Sequence, residues 1–193
     1  MNRHPSNRQR GFTLIELMVA VVIVAVLATV AVVSMKKYSQ RARTQEAINF
    51  LLGVKTKQAT YFLTYQHYAS TNNFYPNDAP THPDWEAQPW DISCPGGSEN
   101  EKAWCALGAS RPDSLGACSG GTQSESGRCS NHQFLVMGWK PGGASPDPTY
   151  INEPNRQWWY AIARGDLDQD GNSSEWFLSS ETLEVYNKAG DEI

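Results

Sequence analysis

The chain has 193 residues, with 16 Lys and Arg against 20 Asp and Glu and a formal charge of −4. That length suits one modest globular domain plus a long appendage. The acidic balance provides no general basic surface, so it excludes a nucleic-acid partner held through phosphate contacts.

Residues 1–11 are polar and basic, with Arg3, Arg8 and Arg10 and no acid. Residues 12–35 are almost wholly apolar, interrupted only by Thr13, Glu16, Thr29 and Ser34. At about 1.5 Å per residue this run predicts a helix long enough to cross a bilayer. The basic residues ahead of it hold the N-terminus in the cytoplasm, although Lys36, Lys37, Arg41 and Arg43 on the far side weaken that charge bias. A secretory signal would have a shorter apolar core ending in a small-residue cleavage site.

The polar-to-apolar border carries the string Gly11-Phe12-Thr13-Leu14-Ile15-Glu16-Leu17-Met18. It resembles the class III signal of type IV prepilins and type II secretion pseudopilins. The resemblance implies cleavage between Gly11 and Phe12 by a prepilin peptidase and N-methylation of Phe12. Glycine at the cut lets a peptidase approach the backbone closely. Glu16 stands out because a carboxylate in an apolar membrane interior costs several kcal/mol, on the order of the insertion scales, unless it finds a partner. The family implies one: the new amine at Phe12 of a neighbouring subunit, paired with Glu16 during assembly.

Beyond residue 35 no proline occurs before Pro76, and Gly53 is the one glycine on the way. Apolar residues recur at Tyr38, Ala42, Ile48, Leu51, Leu52, Ala59 and Phe62, mostly three or four apart. One long helix to about residue 70 is expected, apolar all round over 12–35 and amphipathic over 36–73. Many type IVa pilins have a helix-bending proline in the apolar half; its absence here favours an unbent helix. The dense aromatic group of Tyr61, Phe62, Tyr65, Tyr68, Phe74 and Tyr75 reads as the helix end that packs on a sheet.

Residues 74–131 are rich in Pro, Gly, Ser, Asn and Asp and read as irregular loops, with a short helix near 101–107. They hold Cys94, Cys105 and Cys118, with Cys129 at their end. No C-x-x-C pair or His cluster completes a zinc set. An even count in an exported chain argues for two disulfides. Three pairings are open, and the matched spacing favours Cys94–Cys105 and Cys118–Cys129. Trp85, Trp90 and Trp104 read as anchors of this region to the head, with contact to a partner as the alternative.

Residues 132–193 read as β, with strands near 133–139, 157–163, 175–179 and 183–186 separated by turn-forming clusters. Three to four antiparallel strands on an amphipathic helix make an α+β head, the type IV pilin fold that the resemblance implies. Asp166-Leu167-Asp168-Gln169-Asp170-Gly171-Asn172 has the alternating acids of a calcium loop, with Ser174 or Glu175 able to complete the shell. It is not an EF-hand, since Phe177 takes the place of the twelfth-position acid and strands flank the loop. A solvated acidic turn is the alternative.

No nucleophile elbow, zinc-protease motif or phosphate loop accompanies His67, His82 or His132, so no enzyme is expected. The resemblance implies a structural subunit, major or minor, of a type IV pilus used for motility. Its partners would be other pilins, the prepilin peptidase and methyltransferase, and the inner-membrane assembly machinery. It would span the inner membrane once before assembly and stand in an extracellular pilus afterwards. Two alternatives differ in class: a periplasmic pseudopilin of a type II secretion system, and a calcium-stiffened tip adhesin.

Overall fold

The computed structural model describes residues 12–76, 88–92, 94, 97–109, 129–167, 171–182 and 184–188. It divides into two compact units, residues 1–39 and 40–193. Helix α1 (Leu14–Tyr65) runs through both.

In the first unit the side chains of residues 12–35 are exposed all round, and this stretch is long and apolar enough to cross a membrane. Its two mid-helix hydroxyls fold back on their own backbone. Thr29 Oγ1 donates to Val26 O at 2.7 Å, and Ser34 Oγ donates to Val30 O at 3.0 Å. Neither hydroxyl therefore presents a bare donor to hydrocarbon.

In the second unit, α1 buries Thr44, Ala47, Phe50, Leu51, Val54 and Gln58, a stripe at three- and four-residue spacing. The stripe packs on a four-stranded antiparallel sheet of β3 (Gln133–Gly138), β4 (Trp159–Gly165), β5 (Ser174–Ser179) and β6 (Tyr186–Asn187), ordered as in the chain. Phe134, Val136, Ala161, Ala163 and Leu178 face this helix core. The small Ala161 and Ala163 on the central strand leave room for Phe50, whose ring centroid lies 4.2 Å from that of Phe134.

The helix stops at Tyr65, not near residue 70, because Gln66 takes a left-handed conformation with φ of 58°. The following segment runs along the free edge of β3. Backbone bonds join Tyr68 to Trp139, Thr71 to Val136 and Tyr75 to Phe134. Where the register fails, side chains take over. Ser70 Oγ and Thr71 Oγ1 each pair with both the N–H and C=O of Gly138 and Val136 respectively. The buried Gln58 amide does the same for Ala69, donating to its O at 2.9 Å and accepting from its N at 3.0 Å. Gly138 permits this approach, since a Cβ there would lie 2.5 Å from Ala69 O.

β3 and β5 lie within one residue of expectation, and β4 and β6 depart further. β4 lies two residues later than 157–163, because Arg164 and Gly165 stay in register opposite Gln133 and Ser174. β6 is short because Ser179 and Thr182 close a hydrogen-bonded turn, and pairing with β5 begins only at Tyr186. The far face of the sheet carries a second cluster, in which Tyr150 and Ile151 cover Trp158, Tyr160 and Ile162. Glu181 pins that covering segment by accepting from the backbone N–H groups of Asn152 and Glu153.

In the loop region, α2 (Glu99–Leu107) starts earlier than expected because Ser98 and Glu101 form a capping box. Trp104 from α2 and Trp90, which follows β1 (Gln88–Pro89), pack with Phe50 in the helix core through edge-to-face and tilted ring contacts. β1 pairs with β2 (Cys129–Ser130). Trp85 lies outside the described residues.

Replacing Gln58 by the similarly sized Met leaves both polar groups of Ala69 unpaired in the core. At about 1–3 kcal/mol for each buried group, the melting temperature of the full chain in detergent is expected to fall by about 5 °C or more. An unchanged melting curve would contradict the role given to this amide.

Candidate assembly and cation sites

Glu16 sits in the first turn of α1, and its surroundings explain why the helix begins there. Glu16 Oε2 accepts from Thr13 N at 2.9 Å and from Thr13 Oγ1 at 2.8 Å. The Thr13 hydroxyl in turn accepts from Glu16 N at 3.4 Å. This is a reciprocal capping box: an apolar helix start acquires partners for N–H groups that would otherwise meet no acceptor. Both carboxylate bonds end on Oε2, so Oε1 keeps its acceptor capacity. Phe12, two residues before the helix, is 88% exposed, and Gly11 lies outside the described residues. The threonine partner was missed by sequence reasoning, although Thr13-Leu14-Ile15-Glu16 has the spacing of the motif.

The acidic loop between β4 and β5 is built on Asp166, which is only 4% exposed. Asp166 Oδ2 accepts from Gly171 N at 2.9 Å, and Gly171 has a φ of 90°, which closes the loop on itself. Leu167 O accepts from Gln40 Nε2 of α1 at 3.4 Å. Asn172 is exposed beside the turn, and Ser174 is buried opposite Gly165 in β5. Asp168 and Asp170 lie outside the described residues. Among the described residues no three His, Cys, Asp or Glu side chains converge as metal ligands.

Glu175 does not complete this set. Alternation along β5 turns it to the opposite face from Ser174. There its carboxylate accepts from Tyr150 Oη at 2.5 Å and faces Lys188 Nζ at 3.4 Å. Burial first, and the bond to Glu175 second, raise the Tyr150 phenol far above its ordinary range. Glu175 thus ties the covering segment and the strand after β5 to the second cluster.

Cys94 and Cys105 are joined in a disulfide with Cα atoms 5.9 Å apart, which fastens the loop to α2. Cys129 is buried and disulfide-bonded in β2, and Cys118 lies outside the described residues.

His132 is a site the sequence did not single out. It is 3% exposed in the turn before β3, against Gly165 and near Phe134. Burial, reinforced by the charge of Arg43, lowers its pKa to about 4. The unfolded chain would take a proton on this ring near its ordinary value of 6.5, and the folded chain only near 4. Stability contributed by the neutral ring is therefore full above 6.5 and lost as the pH falls toward 4.

The N-terminal segment matches a known family model. Residues 6–32 fit the prokaryotic N-terminal methylation motif. The chain is 42% identical over 64 residues to a fimbrial protein of Neisseria meningitidis serogroup A, covering 33% of this chain and 38% of that protein. It is 41% identical over 64 residues to the type IV major pilin protein PilE1 of Neisseria gonorrhoeae, covering 33% and 39%. It is 35% identical over 80 residues to the type II secretion system core protein G of Escherichia coli K12, covering 40% and 55%. The chain thus spans between 38% and 55% of the length of these curated relatives. No solved structure matches.

Between pH 6.5 and 4 the unfolding free energy is expected to fall, and a His132→Gln chain should lose part of that slope. Parallel pH–stability curves for the two chains, by denaturant titration, would refute the assignment.

Proposed function

We propose that this chain is a structural subunit of a type IV pilus, processed between Gly11 and Phe12 and drawn into the filament through its apolar helix. The observation that carries the reading is the methylation motif over 6–32, set on a helix whose first half is apolar and exposed on every side. Such a face has two environments that suit it, hydrocarbon and the packed core of a polymer. The α+β architecture accords with the fold expected of the family, and a fimbrial relative matches over 33% of the chain.

Processing changes the chemistry at Glu16. Removal of the leader converts the peptide N–H of Phe12 into a cationic amine. The carboxylate, already held by Thr13, still has Oε1 to offer that amine on an adjoining subunit. A charge pair formed where water is scarce supplies both attraction and axial register. Until then the capping box keeps the acid hydrogen-bonded within its own chain.

Pseudopilin of a type II secretion system is the second reading. It is favoured by the match to core protein G, which covers the largest share of this chain among the relatives above. Deletion of the gene separates the two: loss of twitching with secretion intact selects the pilus. On either reading we propose that loop 166–172 binds calcium through Asp166, Asp168, Asp170 and Asn172, with Ser174 nearby. Asp166 fits this role, being a buried carboxylate that accepts from the loop's own Gly171 N–H. Bound calcium would stiffen the connection between β4 and β5.

Glu16→Ala is expected to reduce incorporation into sheared filaments at least about tenfold, for loss of a charge pair of more than about 1.4 kcal/mol, with the membrane-bound pool retained. Filaments of wild-type abundance, or a mature protein still beginning at Met1, would overturn the reading. Calcium should raise the melting temperature over that in chelator, and identical curves would withdraw the cation site alone.

A further inference from the structure

We propose that Lys36, Lys37, Arg41 and Arg43 form a collar that binds anionic phospholipid headgroups, on the leaflet where the helix leaves the membrane. This rests on the reading of residues 12–35 as a membrane span.

Depth is the first argument. Those 24 residues rise about 36 Å as a helix, against a hydrocarbon layer of about 30 Å. The helix continues unbroken past this length, so the residues that follow immediately emerge at the level of the headgroups. Charge density is the second. No acid occurs between Glu16 and Glu46, so four cations within eight residues go uncompensated along the helix.

Availability is the third argument. All four side chains are exposed, and none makes an ion pair with a described residue. Arg43 does bear on His132, but as a like charge that disfavours its protonation. The fourth argument is contrast. Residues 44–193 hold nineteen Asp and Glu against nine Lys and Arg, so an anionic surface repels this part of the chain. Beyond the apolar stretch, attraction is confined to the collar.

The collar also answers a puzzle of topology. Cations beyond a span oppose the usual bias toward a cytoplasmic position. Placed among anionic headgroups they gain a favourable partner, each contributing attraction that salt screens. Lipid attraction would fix the subunit's depth while it waits in the membrane, and it must be surrendered when the subunit is withdrawn.

The test uses the full chain reconstituted in phosphatidylcholine vesicles with spin-labelled phosphatidylglycerol or phosphatidylcholine as probe. Electron paramagnetic resonance of the immobilised fraction gives the relative association of the two lipids. The wild-type chain should prefer phosphatidylglycerol, and the preference should drop at least about threefold in K36Q/K37Q/R41Q/R43Q and in about 0.5 M salt. Both chains carry the leader arginines, so their difference reports the collar. The triple variant K36Q/K37Q/R41Q, which keeps Arg43 beside His132, should show most of the loss, and K36R/K37R, which keeps all four charges, should retain the wild-type preference. Equal lipid preference in inserted wild-type and variant chains overturns the collar. Release of the wild-type chain by alkaline carbonate would instead show that the span itself is wrong.

Discussion

Peptide N–H and C=O groups withdrawn from water must find partners, and much of this molecule is arranged around that requirement. At the start of α1 the Thr13–Glu16 box answers it where no preceding helical turn is at hand. At the edge of β3 the answer is a set of borrowed side chains. Gln58, Ser70 and Thr71 stand in for the backbone of a strand that does not keep register. In α2 the same device recurs with Ser98 and Glu101. The apolar contacts supply most of the driving force, but these polar closures decide where elements begin and end.

The capping box gives Glu16 a second identity. On the reading proposed above, the acid that serves assembly must be tolerable beforehand, in a subunit with no neighbour. Its bonds to Thr13 supply that tolerance without consuming the whole carboxylate. In the pairing proposed above, a neighbouring amine would not need to displace Thr13 but would add to the arrangement. Residue type and spacing are both demanded, since Gln at position 16 would preserve a cap and forfeit the charge.

Much of the architecture was legible because it rests on periodicity and composition. The long helix, the antiparallel sheet and the order of strands follow from apolar spacing and turn residues. The end of α1 was not legible, because Gln66 and Asn72 adopt positive φ without the glycine that normally signals it. The second cluster escaped notice because Tyr150 and Ile151 lie in a stretch full of proline and glycine, and their burial depends on what Glu175 and Glu181 hold in place. At the acidic loop, local spacing suggested that Glu175 could serve as a ligand. Strand alternation turned it to the other face. His132 gave no motif at all, since its properties come from enclosure by Gly165 and the neighbourhood of Arg43.

The covered margin of β3 bears on how such a subunit can be stockpiled. An open ladder invites another polypeptide to continue it, and that hazard grows with local crowding. Here residues 68–75 occupy one margin, while the described strand at the other, β6, is two residues long. Copies held side by side in a thin layer therefore lack a ready template for strand-by-strand growth. On the proposed reading, polymerisation falls to the greasy helix, so contacts there would be made and undone without unravelling the sheet.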